Sequence, residues 1–109
     1  MPETTTDVIQ GTLDMLILKS LSLEAMHGFG IARRIEQVSK RVFRVNPGSL
    51  LVAFRRLERE GLIDGTWRAT ENNRRARFYT LTESGRRRLK DNARDWDRRV
   101  AAIARLMEA

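Results

Sequence analysis

Cysteine is absent from the 109 residues, and histidine and tyrosine occur once each. Without cysteine there are no disulfides and no thiolate metal ligands. His27, with no nearby carboxylate cluster, cannot assemble a metal site by itself. Long apolar runs are also lacking; none approaches the about 20 residues a membrane-spanning helix requires. The opening MPETTTDVIQ is acidic and polar, unlike the basic start and apolar core of a secretory signal. Nor is there a nucleophile with a base at a recognisable spacing, a phosphate-cradling glycine loop, or a pair of carboxylates in an apolar setting. These absences point to a cytoplasmic protein that is not an enzyme and carries no metal or cofactor. Lysine is scarce too. Only Lys19, Lys40 and Lys90 are lysines among the 21 cationic residues.

What is present suits one folded domain. With 41% hydrophobic and 32% charged residues the chain is too apolar for a disordered tail, and its length supports one modest core. The formal net charge is +7, and its distribution is uneven. Residues 1–40 hold 4 Lys+Arg against 5 Asp+Glu, whereas residues 41–109 hold 17 against 9. A basic excess made of arginine favours forked, planar recognition of phosphates or guanine edges, so a polyanion is the leading partner.

Apolar residues from Val8 to Leu23 are dense enough for a helix buried on most sides. HGFG at 27–30 precedes a second, shorter helix whose Ile31, Ile35 and Val38 recur at helical spacing. A third helix starts after Asn46, a side-chain cap, with Pro47 at its first position, and stops where Gly61 can turn left-handed. LIDGTWRA and RARFYTLT, separated by TENN, read as a β-hairpin. Phe78 and Tyr79 point to opposite faces of its second strand, so only one of them is plainly core. Thr82 can cap a last helix that meets no breaker after Gly85.

Helix, helix, helix, hairpin and long helix is the order of a winged helix-turn-helix, a mainly α, α+β fold, with a C-terminal extension. Residues 1–82 would form the DNA-binding domain and residues 83–109 a dimerisation helix. On the third helix Leu50, Ala53, Phe54 and Leu57 fall on the core side, opposite Gly48, Val52, Arg55 and Arg59. Leu51 and Arg56 lie on the flanks, and Ser49 is outward near the end that enters a major groove. Arginine beside exposed aliphatics suits a groove floor that offers guanine O6 and N7 together with thymine methyls. Leu51 and Val52 could equally pack under the hairpin. Asn73, Arg74, Arg75 and Arg77 follow the hairpin tip, where positive charge reaches phosphate or a narrow minor groove.

In the last helix Leu89, Ala93, Trp96, Val100, Ile103 and Met107 repeat at alternating spacings of four and three. A helix of about 39 Å outruns a core of this size. Part of the stripe should therefore meet a second copy, together with Leu13 and Leu16 of the first helix. Trp96 either packs in this seam or stacks on a flat effector; Asp95 and Asp97 attract a cationic ligand or pair with Arg94, Arg98 or Arg99.

GTLDMLIL at 11–18, MHGFGIARRIE at 26–36, VNPGSLLVAFRRLEREGLI at 45–63 and RRARFYTLTESGRRRL at 74–89 resemble, in order and spacing, the PadR family of bacterial transcriptional regulators. The single C-terminal helix is similar to the smaller PadR subfamily. The resemblance implies a homodimeric winged-helix repressor bound to double-stranded DNA, with a small aromatic effector between subunits. It also exposes a departure, because the family usually has Tyr-Pro where this chain has Leu51-Val52, and leucine where it has Phe54. Losing the tyrosine hydroxyl removes a phosphate hydrogen bond of about 1 kcal/mol, which weakens DNA binding or redirects it to another operator. The competing classes are a PadR-like scaffold that binds an acidic protein, and nonspecific or RNA binding; few aromatics are available for base stacking.

Overall fold

The computed structural model describes residues 12–109, together with the backbone of Thr6–Asp7. Its elements are β1 (Thr6–Asp7), α1 (Leu13–Leu23), β2 (Met26–His27), α2 (Gly28–Val38), β3 (Phe43–Arg44), α3 (Pro47–Arg59), β4 (Ile63–Ala69), β5 (Arg75–Leu81) and α4 (Glu83–Glu108). The three helices, the hairpin and the long last helix follow the order expected from sequence. Val8 and Ile9, assigned above to the first helix, and Gly11 of the first motif lie outside the described residues.

Local chemistry sets the borders of α3. The Asn46 side-chain oxygen accepts from the backbone N–H groups of Gly48 at 2.8 Å and Ser49 at 3.1 Å, which would otherwise lack intrahelical partners. At the other end Gly61 has φ +73°, where only glycine is unstrained. Leu62 N–H then bonds Leu57 C=O at 2.9 Å and Gly61 N–H bonds Glu58 C=O at 3.0 Å, closing the helix in a Schellman turn. Thr82 joins this stop to the start of α4. Its hydroxyl donates to Gly61 C=O at 2.7 Å and accepts from Gly85 N–H at 3.0 Å, while its own N–H bonds Leu62 C=O at 3.2 Å.

The sheet holds one strand more than the sequence suggests. β2, only two residues long, pairs antiparallel with β5, so the order is β2-β5-β4 rather than a lone hairpin. A further parallel pairing joins β1 to β3. The glycines of HGFG also sit inside the first turn of α2 instead of preceding it.

The core lies where α1, α2 and α3 converge on the sheet. Ile17 and Leu18, Ile31 and Ile35, and Leu50, Ala53, Phe54 and Leu57 are buried there. Tyr79 is the core member of its pair, with its ring 4.4 Å from that of Phe54. Phe78, on the opposite face, stands edge-on to His27. Val38, grouped by period with Ile31 and Ile35, is 72% exposed, so the buried stripe of α2 ends one turn early.

α4 reaches well past this core. Leu89 packs on the core, as do Leu13 and Leu16 of α1, but from Ala93 onward the stripe faces outward. Trp96, Val100, Ile103 and Met107 are exposed, and so is Leu106, which falls outside the four-and-three pattern.

Candidate nucleic-acid interface

Two elements present arginine together with apolar surface: the outer face of α3 and the hairpin of β4 and β5. Because the inner face of α3 is anchored by Leu50, Ala53, Phe54 and Leu57, its outward set is fixed by the 100° step. Ser49, Leu51, Val52, Arg55 and Arg59 are all exposed. Leu51 and Val52 keep 48% and 59% of their surface, so they are not shielded under the hairpin.

Arg56 has another partner. Its guanidinium is hydrogen-bonded to the Asp14 carboxylate, tying α3 to the start of α1. A second ion pair ties the hairpin to α3, with Arg77 Nη2 at 2.8 Å and Nε at 3.2 Å from the two Glu58 oxygens. This forked geometry is half-buried, where screening is weaker than at an open surface. The hydrogen bond to Glu58 raises the Arg77 pKa, and burial raises that of the Tyr79 phenol, with Glu58 adding to it. Near neutral pH the first stays charged and the second neutral.

The hairpin tip closes with Thr70 N–H to Arg74 C=O at 2.7 Å and Asn73 N–H to Thr70 C=O at 3.0 Å. Asn73 has φ +59°, a left-handed turn that asparagine tolerates better than most residues. Arg74 and Arg75 beyond it are exposed. Three cations lie along the hairpin over aromatic rings: Arg68 sits 4.1 Å from the centre of Phe78, and Arg75 and Arg77 sit 5.7 Å and 5.4 Å from that of Trp67.

The structure thus gathers Ser49, Leu51, Val52 and Arg55 on one face of α3 and Asn73, Arg74 and Arg75 at the hairpin end. Arg56 and Arg77, expected with them, are held by carboxylates instead of standing free. Sequence reading passed over Arg68, Trp67 and the 85% exposed Phe29. Register counted back from the tip places Trp67 opposite Arg77, a signal present in the sequence. Among the described residues no cluster of acidic and histidine side chains could hold a metal ion, and no helix is long and apolar enough to cross a membrane.

Chemically, such a surface can satisfy phosphate oxygens through guanidinium groups and present small apolar side chains to base edges. The comparisons with known proteins agree with that chemistry. A transcriptional regulator from Clostridium thermocellum superposes with a TM-score of 0.82 at 26% identity, covering 89% of this chain and 94% of that one. A PadR family transcriptional regulator from Eggerthella lenta gives 0.79 at 25% identity, with 92% and 85% covered. "Uncharacterized protein X" of Lysinibacillus sphaericus is 24% identical over 90 residues, 83% of each chain. The profile of the transcriptional regulator PadR-like family matches residues 17–91, more than half of the chain. Four helices, a small antiparallel sheet and that match place the chain in the PadR-like family, whose members are transcriptional regulators and not enzymes.

Proposed function

We propose that the chain acts in the cytoplasm as a homodimeric repressor that recognises a specific operator in double-stranded DNA. In this reading residues 1–82 are the DNA-binding domain and residues 83–109 the dimerisation helix. The observation that carries it is the outward set of α3, with Ser49, Leu51, Val52 and Arg55 exposed beside the Arg74 and Arg75 wing. α3 enters the major groove by its N-terminal half, Arg55 reads guanine, and Leu51 and Val52 meet thymine methyls.

Arg56 and Arg77 take a different part. Each spends its strongest contacts on Asp14 or Glu58, so their first task is to fix α3 on α1 and the wing on α3. Their remaining N–H groups can still reach phosphate at the edge of the interface, where Asn73 also lies.

Two copies pair through Ala93, Trp96, Val100, Ile103 and Met107 of α4, with Leu89, Leu13 and Leu16 at the border of each core. Two-fold pairing sets two α3 helices one turn of DNA apart, and a dimer seated on a promoter excludes the polymerase. A flat aromatic effector stacked on Trp96 between subunits would change that spacing and release the operator.

The test is a mobility-shift titration on the duplex just upstream of the chain's own coding region, at two salt concentrations with random duplex as competitor. A preference of at least about 10³ and a steep loss with salt are expected. A protein-binding scaffold gives neither, and a nonspecific binder gives only the salt effect. In the same assay Arg74→Ala with Arg75→Ala should weaken all duplexes alike and lower the salt slope by about two. An unchanged slope removes the wing from the contact surface.

A further inference from the structure

Glu58 lies in the last turn of α3, away from the N-terminal half assigned to the groove, and its carboxylate reaches across to the wing. Alternate residues of β5 share a face, and the one turned to α3 runs from exposed Arg75 through Arg77 to buried Tyr79. Arg77 therefore stands where the proposed interface meets the core. Its guanidinium is enclosed, with the forked carboxylate of Glu58 at its tip and the Trp67 ring centred 5.4 Å away. The backbone of β4 closes a further side. A Cβ at Gly65 would come 2.5 Å from Glu58 Oε1 and 2.6 Å from Arg77 Nε. A glycine weakens the strand that carries it, and this one leaves the room in which the ion pair lies against β4.

The pair changes what the reading head offers to a polyanion. Arg55, Arg74 and Arg75 form no ion pair with a described carboxylate, so their charges stand ready for phosphate. Every phosphate contact strengthens binding to all sequences alike, by about 0.9 in salt slope, and distinguishes none of them. An unpaired Arg77 would add another such contact. Paired, it brings little net charge, and Glu58 repels a phosphate pressed against the wing at the wrong distance. In a chain with a formal net charge of +7, indiscriminate binding is the hazard such a pair limits.

We propose that Glu58 is a specificity-determining residue: it withholds the charge of Arg77 from phosphate and fixes the wing at one distance from α3. The proposal rests on the DNA-binding reading and goes beyond it, giving discrimination between sequences to a side chain that does not touch the duplex. A random duplex is met equally well by many wing positions, an operator by one. Opening the clamp therefore favours the first and costs the second.

Two substitutions open it by different means. Glu58→Gln removes the charge and keeps the shape and the helix propensity. Gly65→Ala leaves the net charge unchanged and pushes the pair apart, since the nearest atoms its Cβ would meet are the ends of two long side chains. Circular dichroism and thermal unfolding check the fold, and Glu58→Gln decides alone if Gly65→Ala does not fold. On random duplex each variant should bind about fivefold tighter at about 0.1 M salt, with a slope steeper by about one. Preference for the upstream duplex should fall at least about tenfold. Adding Arg77→Gln to either variant should return the random-duplex slope to the wild-type value, which a general loosening of the fold would not do. An unchanged random-duplex slope in the folded variants, a gain that survives Arg77→Gln, or an undiminished preference would overturn the proposal. A wild type that prefers the upstream duplex while the variants behave like it refutes the proposal alone. A wild type without that preference refutes the operator reading, and the random-duplex slopes then still decide whether Glu58 withholds Arg77. One that binds neither duplex overturns both.

Discussion

Gly85→Ala is expected to lower stability by about 3 kcal/mol, against the sign that helix propensity alone would give. Alanine is the better helix former by up to about 1 kcal/mol, so an open helical glycine gains from the exchange. Gly85 is not open. A Cβ there would lie 2.1 Å from Leu62 O and 2.5 Å from Leu81 Cδ1. The leucine methyl can rotate away, but the carbonyl is fixed by its bond from Thr82 N–H and by the Schellman turn just before it. Relief requires α4 to lift off the end of α3, breaking the Thr82 contacts that join the two helices. Thermal unfolding should show a midpoint lower by about 15 °C, using the about 4–8 °C per kcal/mol typical of small domains. An unchanged or raised midpoint would mean that α4 starts elsewhere.

The second large effect concerns Ile103→Glu. In a single subunit Ile103 is 57% exposed and packs on little, so the substitution should leave the fold and its helical content untouched. In a paired seam it sets a carboxylate from each copy among Val100, Leu106 and Met107, an unpaired charge in an apolar setting. We expect dissociation to single chains at micromolar concentration, with operator affinity lower by at least about 10², because one reading helix cannot replace two linked ones. A variant that stays paired would place the interface elsewhere on the molecule.

Much of the fold was readable because the signals that set it are local. Asn46, Pro47 and Gly61 bracket α3 within a short stretch, and Thr82 with the unbroken run after Gly85 defines α4. The 100° step separated the buried and outward faces of α3 correctly, since both are fixed once Leu50, Phe54 and Leu57 turn inward. Two-residue β2 was not readable. Met26 and His27 carry no alternation, and they form a strand only because β5 offers an unpaired edge.

The candidate site divides along the same line. Which arginines face outward follows from period, whereas which are already occupied depends on pairs distant in sequence. Asp14 and Arg56 are 42 residues apart, and Glu58 and Arg77 are 19 apart. Their meeting is a product of the folded packing of α1 and β5 on α3. Only the cross-strand position of Trp67 could have been counted in advance.

In the proposed function, pairing of two chains through α4 is the premise on which the spacing of the reading helices, the operator symmetry and the effector site at Trp96 all rest. Sedimentation equilibrium of the wild-type protein without DNA, at micromolar concentration, tests it most directly. The expected mass is that of two chains, unchanged on dilution through the micromolar range. A stable single chain under those conditions would contradict the two-fold reader.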